Sequence, residues 1–90
     1  MWYSTSSGRI ELEMTLAEAK SASHMGECDD DVLALSKKPK IARQLAKIDP
    51  ELLHSELQEF CVWDDDELLD HDQNLQRILW TAACDIVEMN

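Results

Sequence analysis

Arg9-Ile10-Glu11-Leu12-Glu13-Met14 alternates strictly between charged and apolar side chains. A period of two places Ile10, Leu12 and Met14 on one face of a strand and three charges on the other. This is the one convincing strand signal in the chain, and it decides between an all-helical and an α+β fold. Ser6-Ser7-Gly8 reads as a turn, so residues 2–5 pair back on the strand and residues 2–14 form a β-hairpin. An isolated hairpin is unstable in water, so its apolar face must lie on helices.

Downstream the chain reads as helical. Two glycines and two prolines in ninety residues, with abundant Leu, Ala, Glu and Asp, favour helix. Thr15 followed by Glu18 is a capping-box signal for a short alanine-rich helix to about Ser23, with Gly26 at or beyond its end. Asp29-Asp30-Asp31 opens a second helix with Val32, Leu33 and Leu35 on its apolar side. Pro39 starts a third, in which Ile41, Leu45 and Ile48 recur at i, i+4 and i+7.

Asp49-Pro50-Glu51 starts a fourth helix. Leu53, Leu57 and Phe60 form one of its faces, and Glu51, Glu56 and Glu59 fan over roughly 140° of the other. Asp64-Asp65-Asp66-Glu67 is expected to begin the last and longest helix, whose apolar positions from Leu68 to Val87 cover about 200° of arc. A face that wide needs several neighbours. The expected architecture is one domain, residues 1–90, of the α+β class and mainly helical. An N-terminal β-hairpin packs on about four helices within residues 15–90, the C-terminal one longest and central. The similar openings at residues 29–35 and 64–70 share helix-start chemistry and are too brief to be a repeat.

A chain of this length buries roughly 60–65% of its extended surface, enough to fold alone but marginally. Its hydrophobic fraction of 44% argues against intrinsic disorder. Cys28, Cys61 and Cys84 are odd in number and lack paired spacing, which predicts free and mostly buried thiols in a reducing compartment. Met1-Trp2-Tyr3-Ser4-Thr5 does not read as a signal peptide, and the apolar runs are far too short to span a membrane. The sequence therefore predicts a soluble intracellular protein.

Charge is the most uneven property of the chain. Twelve of the nineteen acidic residues fall in residues 49–90, opposed there by Arg77 alone, whereas residues 1–48 carry seven acids and seven bases. The whole net charge of −11 lies in the C-terminal 42 residues. Such asymmetry points to a basic partner surface or to solubility rather than to a fold. The candidate partner-binding residues are Glu51, Glu56, Glu59, Trp63, Asp64, Asp65, Asp66, Glu67 and Asp70. Duplex DNA carries one negative charge per ~1.7 Å of axis, which carboxylates on adjacent helices would imitate. Part of the excess is ordinary helix-start chemistry at Asp49 and Asp64. Glu56, Glu59, Asp66 and Asp70 are read as facing outward, beyond what capping uses. The plain alternative for all of them is a solvated acidic face.

Trp63 is either an exposed hot-spot anchor beside these acids or a plug between the last two helices. Trp2 is a second candidate for exposure, and Trp80 reads as core. Asp72 projects into the apolar arc next to His71, as an overhang of the first turns or as a His71–Asp72 site. Lys37, Lys38, Lys40, Arg43 and Lys47 form a local basic patch. It could serve self-association with the acidic face, or contact nucleic acid as a minimal phosphate-binding surface. Direct nucleic-acid binding is disfavoured by the overall charge.

Catalysis and metal binding find no support. There is no nucleophile elbow, and paired carboxylates need a pocket that so small a core leaves little room for. His24 and Cys28 stand four apart, but no CxxC, HxxxH or HExxH occurs, and the Asp-rich segments lack the glycine and alternating oxygens of an EF-hand loop. No enzyme activity, cofactor or metal is expected.

Between Ile10 and Val87 the chain resembles small uncharacterised acidic proteins of bacteriophages and prophages. The residues that carry the likeness are the Thr15–Glu18 opening, Cys28-Asp29-Asp30-Asp31, Ile48-Asp49-Pro50-Glu51-Leu52 and Trp63-Asp64-Asp65-Asp66-Glu67-Leu68. The resemblance implies a phage-encoded accessory protein in the cytoplasm of a bacterial host cell. Anti-restriction and anti-CRISPR inhibitors occur among small acidic phage proteins, several acting as nucleic-acid (DNA) mimics. The leading expectation is a non-enzymatic inhibitor or modulator that binds a host protein with a basic nucleic-acid-binding surface. The alternatives are a homodimer or larger homo-oligomer held by basic-helix to acidic-face contacts, and a weak nucleic-acid binder acting through residues 37–47.

Overall fold

The hairpin forms where the alternation places it. In the computed structural model, which describes residues 1–24, 26, 29–60 and 62–90, β1 (Trp2–Ser4) pairs antiparallel with β2 (Glu11–Glu13). Tyr3 stands opposite Leu12 in the register. Both are buried, as are Ile10 and Met14, so the apolar set lies on one face. Gly8 closes the turn at φ 73°, a left-handed conformation that glycine adopts without steric cost. Its N–H donates to the Thr5 carbonyl at 2.8 Å.

Among the described residues five α-helices follow, the first four begun by the chemistry legible in their opening residues. Thr15 Oγ1 accepts from the Glu18 N–H at 3.1 Å while Glu18 accepts from the Thr15 N–H at 2.8 Å, a complete capping box for α1 (Leu16–Ser23). The Asp29 carboxylate caps α2 (Asp30–Ser36). Pro39 is the first residue of α3 (Pro39–Ala46). Asp49 caps α4 (Pro50–Glu59) by accepting from the Glu51 and Leu52 N–H groups.

The start of the last helix departs from the sequence reading. Asp64 to Glu67 begin a short 3-10 turn (Asp65–Leu69), and α5 (His71–Met89) starts afresh after it. The break is at Asp70, which has extended backbone angles and accepts from the Asp72 and Gln73 N–H groups at 2.9 and 3.2 Å. A side chain that satisfies the amides of a new first turn competes with continuation of the old one. Leu68 is buried as expected, but from the turn rather than from α5.

α5 is the longest element and the centre of the molecule, in contact with α1, α2, α4, β1 and the 3-10 turn. Its most extensive contact is with α1, where Ala19 and Ala22 are fully buried, as are Ala82 and Ala83 on α5. Small side chains on both helices let the backbones approach closely. The hairpin packs on α5 through β1 and on α3 through β2. Gln44 of α3 fixes the second contact, since its amide accepts from the Glu13 N–H and donates to the Glu13 carbonyl. One side chain thus occupies both polar groups of a residue at the sheet edge.

Two apolar expectations are corrected. Leu33 and Phe60 are exposed rather than on the buried faces of α2 and α4: Leu33 lies about 100° around α2 from Val32, and Phe60 follows the last residue of α4. Trp2 is exposed and Trp80 is partly buried against the core, as read from the sequence. Cys84 is a half-buried free thiol that burial, and secondarily Glu88, push above its ordinary pKa. The readings for Cys28 and Cys61 lie outside the described residues. Among the described residues no helix is long and apolar enough to cross a membrane.

Candidate functional site: an acidic face on the ends of two helices

The acidic residues of the C-terminal half come together because α4, the 3-10 turn and α5 are tied to one another. Asp65 accepts from the Gln58 side-chain amide and lies 3.9 Å from His54 Nε2, which fixes the turn to α4. A buried polar link fixes it to α5. Asn74 donates to the Leu68 carbonyl at 2.8 Å, and Arg77 Nη1 donates to the Glu67 carbonyl at 2.6 Å and to Asn74 Oδ1 at 2.8 Å. These bonds satisfy carbonyls at the end of the turn that would otherwise be buried without partners. The guanidinium also lies 5.9 Å from the centre of the Trp63 ring, a cation–π contact.

This arrangement has an electrostatic consequence. Arg77, the sole base of residues 49–90, is only 6% exposed, so its charge is turned inward. Glu51, Glu59, Asp64, Asp65, Asp66, Glu67 and Asp70 are all exposed, and Asp72 with them. A cavity of about 350 Å³ opens among them, lined by Pro50, Glu51, His54, Leu68, Leu69, His71 and Asn74. Leu69, 80% exposed, stands at its edge as an apolar contact point. His71 Nδ1 is buried there without a hydrogen-bond partner among the described residues.

Two members of the sequence-derived set are not on this face. Glu56 is 3% exposed and accepts from the Ser7 hydroxyl, so it ties α4 to the hairpin turn instead of pointing outward. Ser7 in turn is 3.2 Å from Thr5 Oγ1, and Thr5 Oγ1 accepts from the Ile10 N–H at 3.3 Å. Trp63 is 7% exposed, with Phe60 edge-on to it at 6.5 Å and 87°. Of the two readings of Trp63, the plug between the last two helices is the one the geometry supports, because Arg77 and Phe60 enclose the ring.

Others on the face have structural duties besides the Asp65 link to α4. Asp70 caps α5, and Glu67 accepts from the Asp64 N–H at 3.1 Å. Within the subset read as beyond capping, only Glu59 and Asp66 are both exposed and outside a helix cap.

The basic patch meets acids of the other half of the chain. Lys38 and Lys40 pair with Glu18 at 3.1 and 3.3 Å, and Lys40 reaches Glu13 at 4.0 Å. Intramolecular complementarity therefore joins α3 to α1 and β2 rather than to the C-terminal acids. The Glu18 carboxyl is held down to a pKa of about 2, first by the Thr15 amide and then by the two lysines, with burial opposing. Lys37, Arg43 and Lys47 are exposed.

Gln44, Asn74 and Arg77 are the residues that sequence reading passed over. Arg77 had a signal, as a lone cation among twelve acids and one turn from the apolar positions of α5. Gln44 had none, because its partner is the backbone of a segment 31 residues away. Among the described residues no group of three or more His, Cys, Asp or Glu is placed to hold a metal ion. No family model, curated protein or solved structure matches this chain.

Proposed function

We propose that the protein is a non-enzymatic binding protein whose C-terminal acidic face occupies the basic, nucleic-acid-binding surface of a host nucleic-acid-handling complex, inhibiting or modulating it in the manner of an anti-restriction or anti-CRISPR factor. The observation that carries this reading is the inward burial of Arg77 beside seven exposed carboxylates. Arg77 is the one lysine or arginine of residues 49–90 and its charge is turned inward, so the net field of that face is negative toward solvent. A phage or prophage origin, with a bacterial cytoplasmic location, is part of the same proposal and follows from the sequence resemblance alone. Many weak charge contacts would give fast, salt-sensitive association, with Leu69 adding apolar contact in place of Trp63.

The test is capture of a partner from bacterial extract at low salt, followed by challenge with duplex DNA. The expected outcome is a captured nucleic-acid-binding protein that DNA displaces. Reversing Glu51, Glu59 and Asp66 to lysine should abolish capture, and these three leave the caps at Asp64, Glu67 and Asp70 intact. Capture indifferent to both DNA and charge reversal would refute the reading.

Self-association is the second reading, favoured by the exposure of Lys37, Arg43 and Lys47. Mass in solution separates it: a dimer at low salt that dissociates at high salt would favour it, and a monomer at both would exclude it.

A further inference from the structure

A second groove, about 230 Å³ in volume, lies between Phe60, Val62 and Trp63 on one side and the C-terminal half of α5 on the other. Tyr3, Phe60, Val62, Trp63 and Trp80 supply its apolar wall, and Asp85 and Glu88 its charge. Among the described residues that line it there is no lysine or arginine. Four aromatic rings and two carboxylates are an unusual lining for a groove on a domain with five aromatic residues in all. An apolar ligand has no use for the carboxylates, and an anion would be repelled by them.

A cation suits both parts. The negative faces of aromatic rings attract a positive group, and carboxylates at the rim complete its neutralisation. The field of the acids is felt across the groove. The Tyr3 phenol is pushed up to about 12, by burial first and then by Asp85 and Glu56, and Glu88 acts in the same direction on Cys84. Trp63 already holds one guanidinium of its own chain, that of Arg77, at 5.9 Å from the ring centre. A planar guanidinium stacks on aromatic rings and is more weakly hydrated than an ammonium, so it loses less on entering an apolar groove.

We infer that the groove bounded by Phe60, Val62 and Trp80, with Asp85 and Glu88 at its rim, receives the guanidinium of an arginine presented by the basic partner. This rests on the proposed binding function and names the side chain that would anchor it. The acidic face would then steer the partner while the aromatic groove prolongs the complex.

The experiment titrates N-acetyl-arginine amide into the protein and follows the indole N–H signals of its tryptophans by heteronuclear NMR. Trp63 and Trp80 should shift, and the exposed Trp2 should not. The uncharged isostere N-acetyl-citrulline amide should bind about tenfold more weakly, and N-acetyl-lysine amide should also be weaker. Glu88→Gln, at an exposed position, should weaken arginine binding, and Asp85→Asn with Glu88→Gln should weaken it further. Retention of the native indole spectrum by Glu88→Gln keeps the test independent of any folding effect at Asp85.

Equal binding of citrulline or of lysine, or shifts confined to Trp2, would overturn the assignment. The Glu51, Glu59, Asp66 triple reversal should bind arginine amide as the wild type does. If the groove fails while the acidic face still captures its partner, this inference falls and the proposed function stands.

Discussion

Residues 1–48 and residues 49–90 both cap helices with carboxylates, but they differ in how the remaining charge is met. In the first part Glu13 and Glu18 meet Lys38 and Lys40, and the Met1 ammonium donates to the Met14 carbonyl. There Glu13 and Glu18 are answered by lysines from another element, whereas Asp29 meets a backbone amide as the cap of α2. In the second part Asp49 and Asp70 meet backbone amides, Asp65 meets an amide side chain and a histidine, and the arginine is buried. Dipoles satisfy a carboxylate's hydrogen bonds without cancelling its charge. Identical residue types thus build a self-neutralised half and a half whose negative field reaches solvent.

The largest break in this contrast should come from Arg77. Arg77→Met removes the cation that holds the Glu67 carbonyl and Asn74. The loss should be about 2–4 kcal/mol of stability, because buried acceptors are left without a donor. Urea unfolding measures it, and a change below about 0.5 kcal/mol would mean that the link between the turn and α5 is dispensable.

A smaller effect separates the two kinds of glutamate on α4. Glu56→Ala should cost about 1–3 kcal/mol, since it leaves Ser7 and the turn network short of an acceptor. The exposed Glu59→Ala should stay within about 0.5 kcal/mol of the wild type in the same unfolding assay.

The N-terminal half answers to pH through Glu18. Its carboxyl has a folded pKa of about 2, below the ordinary 4.5, so it contributes stability above about pH 4.5. That contribution is lost as pH falls from 4.5 toward 2. Glu18→Gln keeps an acceptor for the capping box and removes the charge that faces Lys38 and Lys40, so it should cost about 1 kcal/mol or less at neutral pH. Stability against pH between 4.5 and 2 should then be flatter in the variant than in the wild type. An unchanged acid limb would show that the carboxylate's charge is not what α1 uses. Smallest of all, Asp66→Asn should leave stability within about 0.5 kcal/mol or raise it slightly by relieving repulsion.

The sequence was most legible where local chemistry acts alone. The period of two in residues 9–14, the Thr15–Glu18 box, Pro39 and Asp49-Pro50 each set their own segment, and each segment formed as read. The last helix was misread at its start because both Asp64 and Asp70 are competent first residues. Only the packing of Asn74 and Arg77 against Leu68 and Glu67 selects a turn between them. The acidic face was legible in outline and not in membership. Helical projection places Glu56 about 60° from Leu53, at the edge of the apolar stripe of α4, and the hairpin turn covers that edge through Ser7. Trp63 was undecidable from sequence for the same reason, since its environment is supplied by α5.

Face and bulk charge are separated by one charge-matched comparison of partner capture. One variant reverses Glu51, Glu59 and Asp66 to lysine, and the other reverses Glu11, Asp30 and Asp31, which are equally exposed but lie in the first half. Both change the net charge by the same amount. The expected result is loss of capture, by about tenfold or more, in the first variant and near wild-type capture in the second. Equal losses in both would contradict a directed acidic face and leave only the overall charge of −11.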